Sequence, residues 1–177
     1  TSTRLVPYSL VGVISPWNFP LLLSMIDTVP ALMAGCAVLV KPSEITPRFI
    51  RPLMQAIAEV PEVASVLTVI EGDGSTGGAL IPKVDFVAFT GPVATGRKVG
   101  ESAARAFIPA SLELGDKDPL IVLASADPVK AAEIALRASV VNTGQACQSI
   151  ERVYVARSIA GRFLSALVEK AQAVRHN

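Results

Sequence analysis

The sequence predicts an α/β fold, in which a doubly wound and mostly parallel sheet carries helices on both faces. Short apolar runs rich in branched residues, typical of buried strands, alternate with segments of helical length. The predicted strands span 10–14, 37–40, 66–70, 84–89, 120–123 and 153–155, and the predicted helices span 21–34, 47–59, 95–106, 128–141 and 159–174. We interpret 108–117 as a crossover between two layered units, which places one domain in 1–115 and the start of a second α/β domain in 116–177.

Two helix starts carry a capping residue followed by proline, Thr46 before Pro47 and Asp127 before Pro128. Both patterns predict a side-chain N-cap at the start of a helix.

Ligands of open α/β sheets bind beyond the carboxyl ends of the strands. We therefore expect the functional residues of this chain directly after its strands.

Composition narrows the classes of protein that the chain can belong to. Hydrophobic residues make up 51% of the 177 residues and charged residues 18%, which excludes intrinsic disorder. The formal net charge of +1 provides no basic field for a nucleic acid. Cys36 and Cys147 are too few for a disulfide framework and suit a reducing compartment such as the cytoplasm. Because the chain starts at Thr1 and is short, we expect it to be part of a larger protein.

The segment 19–40 is apolar enough to resemble a membrane span, since it contains one charged residue, Asp27. Pro20, Pro30 and the central Asp27 oppose this interpretation. A helix that stops at Gly35, followed by a strand buried on both faces, explains the segment better. We therefore expect no contact with a membrane.

Polar residues follow the first two predicted strands. Asn18, between Pro16 and Pro20, offers a neutral amide donor for a developing oxyanion, although an asparagine that binds its own turn is the alternative. Lys41 and Glu44 leave the second strand together and could bind the hydroxyls of a ribose. A solvated ion pair at a strand end remains the alternative for these two residues.

Glycine-rich turns follow the next two strands. The run 71–78 contains four glycines, and 89–97 has the order strand, glycine turn and helix start. Such a turn can receive a pyrophosphate on the helix N-terminus. Neither run contains the G-x-G-x-x-G dinucleotide fingerprint, so each is weak evidence alone.

Two further residues carry candidate chemistry. Glu113 lies between leucines and is either a general base with a desolvated carboxylate or a residue on the wet face of a strand. Cys147 lies in a polar, glycine-bearing loop and is either a nucleophile or an inert thiol. We assign Cys36 to core packing and His176 to a solvated tail, and the spacing of these residues predicts no metal site.

In order, the chain contains PWNFP, KPSE, FTG with a later glycine, ELG, and GQAC followed by ERVYV. This combination, from about residue 7 to about residue 170, closely resembles the aldehyde dehydrogenase superfamily. The resemblance implies a Rossmann-like nucleotide-binding domain in 1–115 and the first part of a catalytic domain in 116–177. It also implies a small-molecule aldehyde as the substrate.

The resemblance assigns catalytic roles to three residues. Cys147 matches the nucleophile that attacks the aldehyde carbon, and the Asn18 amide with the Cys147 backbone N–H matches the oxyanion site. Glu113 matches the general base that activates water to hydrolyse the thioester. A thiolate, a neutral donor and a carboxylate are the groups that these three roles need.

The resemblance also implies NAD as the cofactor, with NADP as an alternative. Lys41 and Glu44 match residues that hold the adenosine ribose, and an anionic Glu44 would repel a 2′-phosphate. Gly72 matches a glycine near the adenine. The further residues matched to the cofactor site are Ser15, Trp17, Phe89, Thr90, Gly91, Thr95 and Leu114.

Three features depart from the family pattern. Pro92 replaces a serine and removes an N–H, which predicts cofactor binding weaker by ~1 kcal/mol. Asp116 replaces a glycine and would either adopt positive φ or crowd Glu113. Because the chain is also short, we expect the isolated chain to be inactive and its parent to be a homo-oligomeric enzyme. A non-catalytic nucleotide-binding fragment, a pseudoenzyme and a CoA-acylating relative remain alternatives.

Overall fold

The computed structural model describes residues 2–175, and the chain divides into two compact units. Unit 1 ends at Gly115, and unit 2 begins at Asp116. The assignment of these units as nucleotide-binding and catalytic remains a prediction. His176, which the sequence places in a solvated tail, lies outside the described residues.

Unit 1 is built on a five-stranded sheet with strand order β3-β2-β1-β4-β5, in which all neighbouring strands are parallel. The predicted α/β fold with a mostly parallel sheet is confirmed. The strands are β1 (Leu10–Ile14), β2 (Ala37–Lys41), β3 (Leu67–Val69), β4 (Phe86–Gly91) and β5 (Ala110–Leu114). Since β1 lies at the centre, between β2 and β4, its carboxyl end is the point where the order of the strands reverses.

Helices cover both faces of this sheet because side chains alternate between the faces along each buried strand. The helices of unit 1 are α1 (Pro20–Met25), α2 (Thr28–Ala34), α3 (Ile50–Ala58), α4 (Pro61–Ala64), α5 (Gly74–Leu80) and α6 (Val93–Ala106), with short 3₁₀ helices at Pro47–Phe49 and Ile81–Lys83. Val13 and Val40 belong to the core beneath α1, α2 and α3. Ile14 and Phe89 belong to the core beneath α5 and α6.

Unit 2 contains a parallel pair of strands, β6 (Asp118–Val122) and β7 (Ile150–Val155), and two helices, α7 (Pro128–Val140) and α8 (Ala160–Gln172). A short 3₁₀ segment, Val141–Gly144, follows α7. The core of this unit forms where Val122 packs with Ala132 of α7 and Phe163 of α8.

Several local predictions were wrong for identifiable reasons. The predicted helix 21–34 is two helices, α1 and α2, because Pro30 has no N–H to donate to the carbonyl of Ile26. The predicted crossover 108–117 contains β5, an exposed edge strand that lacks the apolar run of a buried strand. Part of the predicted glycine loop is helix α5, because the Asp73 carboxylate accepts hydrogen bonds from the N–H groups of Ser75 and Thr76.

Of the two predicted caps, one is confirmed. The Asp127 carboxylate accepts hydrogen bonds from the N–H groups of Val129 and Lys130 at the start of α7. The Thr46 side chain does not cap its helix, because its hydroxyl donates to the carbonyl of Trp17 at 3.0 Å. Within residues 2–175, no helix has the length and the apolar character needed to cross a bilayer.

Candidate active site

A cavity of about 540 Å³ opens in unit 1 where β1, β2 and β4 end. This volume is in the range of small-molecule and cofactor sites. Seven of the residues predicted to contact a cofactor line it: Ser15, Trp17, Lys41, Glu44, Phe89, Thr90 and Thr95. The parallel sheet brings them together, because the carboxyl ends of its strands share one edge.

An ion pair lies in the wall of this cavity. Lys41 is only 4% exposed, and its Nζ donates to Glu44 Oε2 at 2.9 Å. The hydrogen bond from Lys41 lowers the pKa of the Glu44 carboxyl below its ordinary value. The ion pair with Lys41 fixes the position of the Glu44 carboxylate. Because the Glu44 side chain is 53% exposed, this carboxylate is still accessible to a ligand in the cavity.

The loop that carries Asn18 is held by hydrogen bonds on both sides. Its first residue, Ser15, donates its N–H to the Lys41 carbonyl at 3.1 Å. The hydroxyls of Ser15 and Ser24 lie 2.6 Å apart, and the Ser24 hydroxyl also donates to the Pro20 carbonyl at 2.6 Å. Half-buried Asn18 therefore lies between an anchored strand end and the first turn of α1.

The turn from β4 into α6 forms another part of the wall. Pro92 is the N-cap of α6 and lines the cavity, and its carbonyl accepts hydrogen bonds from the N–H groups of Thr95 and Gly96. A side chain at Gly91 would lie 2.7 Å from the ring of Phe89, so the turn needs glycine for close packing. Since proline has no N–H, Pro92 itself offers this cavity no backbone donor.

Three predicted cofactor residues do not line the cavity. Gly72 precedes α5, and a Cβ at Gly72 would overlap the side chain of Thr76. Gly91 provides close packing against Phe89, and Leu114 packs against Gly96 of α6. Their predicted contacts with a cofactor remain predictions.

Other lining residues escaped the sequence analysis. Lys98, Val99 and Ser102 face the cavity from α6, as does the predicted Thr95. Their spacing of three and four residues is that of one helix face, which is the signal that could have identified them. The other lining residues that were missed are Ile14, Pro16, Ser43, Ile45, Gly74, Gly77, Gly78 and Ile81.

Glu113 lies on the edge strand β5, opposite Thr90 of β4, and is exposed. It interacts electrostatically with Asp27, which lies between α1 and α2. Burial of Asp27 and, secondly, the charge of Glu113 raise the pKa of the Asp27 carboxyl above its ordinary value. Two carboxylates therefore lie near each other in unit 1.

Cys147 is exposed and belongs to unit 2, in the segment between α7 and β7. Asn142, Thr143 and Gly144 just before it all have positive φ, of 51°, 57° and 76°. A β-branched threonine in this conformation is strained, and such strain occurs preferentially at functional sites. Two residues after the cysteine, the hydroxyl of Ser149 is buried and has no hydrogen-bond partner among the described residues.

Asp116 does not adopt the positive φ that was one of the two expectations for it. The other expectation, crowding of Glu113, remains a prediction. It is exposed, and its carboxylate accepts a hydrogen bond from the Lys117 N–H at 2.7 Å. In the part of the chain that the structure describes, no group of three or more His, Cys, Asp or Glu side chains could hold a metal ion.

A parallel α/β sheet with a cavity beyond its strand ends is typical of nucleotide-binding proteins. The whole chain, residues 1–177, matches the aldehyde dehydrogenase family. It is 42% identical over 172 residues to the chloroplastic aminoaldehyde dehydrogenase ALDH10A8 of Arabidopsis thaliana. This match covers 96% of this chain and 34% of that protein. The chain therefore belongs to the aldehyde dehydrogenase family, as the sequence motifs predicted.

Solved structures agree with this assignment. The structure of PutA from Anabaena variabilis is 63% identical, with a TM-score of 0.94 over 96% of this chain and 36% of that chain. Betaine aldehyde dehydrogenase of Staphylococcus aureus, solved in complex with NAD+, is 35% identical, with a TM-score of 0.89 over 94% of this chain and 34% of that chain. The chain spans about a third of the length of the curated relatives it matches.

Proposed function

We propose that the protein oxidises an aldehyde to a carboxylic acid with NAD(P)+, and that this chain supplies the cofactor cavity and the nucleophile. The cavity of unit 1 carries the proposal, because seven predicted cofactor residues line it in a chain of the aldehyde dehydrogenase family. Its polar wall of Lys41 and Glu44 fits the hydroxyls of a ribose, and Ile14, Ile81 and Val99 provide apolar surface for a base.

The chemistry follows from three residue types. The Cys147 thiolate forms a bond to the aldehyde carbon, and the resulting oxyanion accepts hydrogen bonds from the Asn18 amide and the Cys147 backbone N–H. Bound NAD supplies the acceptor for the hydride that leaves this carbon, so that a thioester remains on Cys147. Glu113 then takes a proton from water, whose oxygen displaces the sulfur and releases the acid.

We propose NAD rather than NADP as the preferred cofactor. Relatives in the family use either one. The Glu44 carboxylate, ionised and accessible in the cavity wall, accepts hydrogen bonds from ribose hydroxyls and repels a 2′-phosphate. We also propose a reducing compartment such as the cytoplasm, which suits the exposed free thiol of Cys147. The parent protein is proposed to be a homo-oligomer.

One observation favours a second candidate, a nucleotide-binding module without turnover. Pro92 lines the cavity at the start of α6 and has no N–H to offer a phosphate. This candidate predicts that NAD binds and that no aldehyde is oxidised.

The test is aldehyde-dependent reduction of NAD+ by the full-length protein, followed at 340 nm. We expect Cys147→Ser to reduce the turnover rate by at least about 10³-fold, because the nucleophile is lost. Cys36→Ala is the matched control, since Cys36 is buried in the core beneath α2 and should be dispensable for turnover.

The outcomes separate the candidates. Binding of NAD without turnover for any aldehyde would favour the non-catalytic module. Turnover that Cys147→Ser leaves intact would refute the assigned nucleophile. Release of product only when CoA is added would identify a CoA-acylating enzyme instead.

A further inference from the structure

A second cavity, of about 290 Å³, lies on the other face of the sheet of unit 1. Val11 of β1, Ala88 of β4 and Ser111 of β5 form its floor. Val11 and Ala88 belong to the core beneath α1, α2 and α3, whereas the cofactor cavity lies against the core beneath α5 and α6. The proposed cofactor contacts therefore leave this cavity unexplained.

Asp27 is the carboxylate in the wall of this second cavity. It occupies the N-cap position of α2, yet its side chain accepts no hydrogen bond from that helix. Tyr8 and Cys36 are the other titratable residues in the wall, and no lysine, arginine or histidine among the described residues lines it. The half-buried Asp27 carboxylate thus has no cationic partner in the cavity.

The strand register directs Glu113 to the same side. Ser111 lines the cavity, and Glu113 follows two residues later on the regularly paired strand β5. Because side chains of a strand alternate between the faces, Ser111 and Glu113 share a face. The electrostatic effect of Glu113 on the Asp27 carboxyl is consistent with this geometry.

We propose that Asp27 acts through Glu113. Glu113 takes a proton from the attacking water, and Asp27 receives that proton from Glu113 and passes it to solvent. This inference rests on the proposed function. In the hydrolytic step, the water oxygen forms a bond to the thioester carbon and the carbon–sulfur bond breaks. The electron pair of that bond remains on the Cys147 sulfur, and one water proton moves to Glu113 and then to Asp27.

A carboxylate pair suits this transfer. The negative charges of half-buried Asp27 and exposed Glu113 repel each other, so a proton bound by either carboxylate relieves the repulsion. Burial and the charge of Glu113 both favour the protonated form of Asp27, as the raised pKa of that carboxyl indicates. A proton released beside Glu113 therefore has a nearby acceptor before it reaches solvent.

The first test measures the pair without turnover. In the chain labelled with ¹³C at the aspartate and glutamate carboxyls, the Asp27 titration is followed by NMR in the wild type and in Glu113→Gln. We expect the Asp27 midpoint to move to lower pH when the Glu113 charge is removed. Glu101→Gln, on an exposed position of α6, is the control and should leave the midpoint unchanged. An Asp27 midpoint that Glu113→Gln does not move would overturn the inference.

The second test measures the step itself in the full-length protein. We expect Asp27→Asn to slow steady-state turnover about tenfold and to leave the pre-steady-state burst of reduced cofactor intact. The acid limb of the pH–rate profile should shift in Asp27→Asn and be restored in Asp27→Glu. A burst reduced in parallel with turnover would indicate a structural role and refute the inference.

Glu113→Gln separates this inference from the proposed function. If Glu113→Gln leaves hydrolysis unchanged, the proposed base is wrong, and the proposed function fails at that step. If Glu113→Gln slows hydrolysis while Asp27→Asn does not, the base stands and the role of Asp27 is refuted.

Discussion

At the scale of single residues, the Lys41–Glu44 pair links the stability of unit 1 to its cavity. Lys41 is buried and its ammonium is neutralised by a more exposed carboxylate. We predict that Glu44→Gln lowers the free energy of unfolding at pH 7 by about 1 kcal/mol, a value discounted for the exposure of Glu44. Urea unfolding followed by the fluorescence of Trp17, the single tryptophan, measures it.

The pH dependence of this effect has a definite sign. Lys41 lowers the pKa of Glu44 in the folded state, below the ordinary value of 4.5. The stabilisation is therefore complete above the pKa of the unfolded chain and is lost as the pH falls through the folded pKa. The difference between wild type and Glu44→Gln should vanish in acid. Glu101→Gln should match the wild type throughout, and a difference that persists at low pH would contradict the assigned ion pair.

At the scale of elements, Gly12 lets α5 and the segment after it approach β1. A Cβ at Gly12 would overlap Leu80 Cδ2 and lie 3.2 Å from both γ-carbons of Val84. We predict that Gly12→Ala destabilises unit 1 by about 1–3 kcal/mol, because the buried neighbours must move. The same urea unfolding experiment measures the change.

Gly78, inside α5, is the matched control for this substitution. Apart from the chain neighbours and the backbone of α5 itself, no atom lies within 4 Å of a Cβ built at this position, and its φ is not positive. Alanine is the better helix former, so Gly78→Ala should stabilise unit 1 by about 0.5–1 kcal/mol. Equal effects of the two alanine substitutions would show that crowding at β1 is not the cause.

At the scale of the whole molecule, every residue among 2–175 that lines the cofactor cavity belongs to unit 1. We predict that a chain ending at Gly115 binds NAD with a dissociation constant within about threefold of that of residues 1–177, since no lining contact is removed. Isothermal titration calorimetry measures both constants, and circular dichroism checks that the shorter chain is folded. A folded shorter chain that does not bind NAD would show that the site needs unit 2.

The sequence by itself determined the fold class and the family. Buried parallel strands are continuous apolar runs, so β1 and β2 were visible in the sequence, whereas the exposed edge strand β5 was not. The Asp127 cap was predictable because capping depends on residues adjacent in sequence. The family followed from motifs such as GQAC around Cys147, which the match over residues 1–177 confirmed.

Only the tertiary structure decided which residues meet. Lys98 and Ser102 face the cavity because α6 packs over the ends of the strands, a contact that local propensity does not encode. The proximity of Asp27 and Glu113 likewise depends on strand order, because β5 joins the sheet next to β4 rather than forming a crossover. Their separation of many residues along the chain leaves no periodic signal, so packing alone brings the two carboxylates to one face of the sheet.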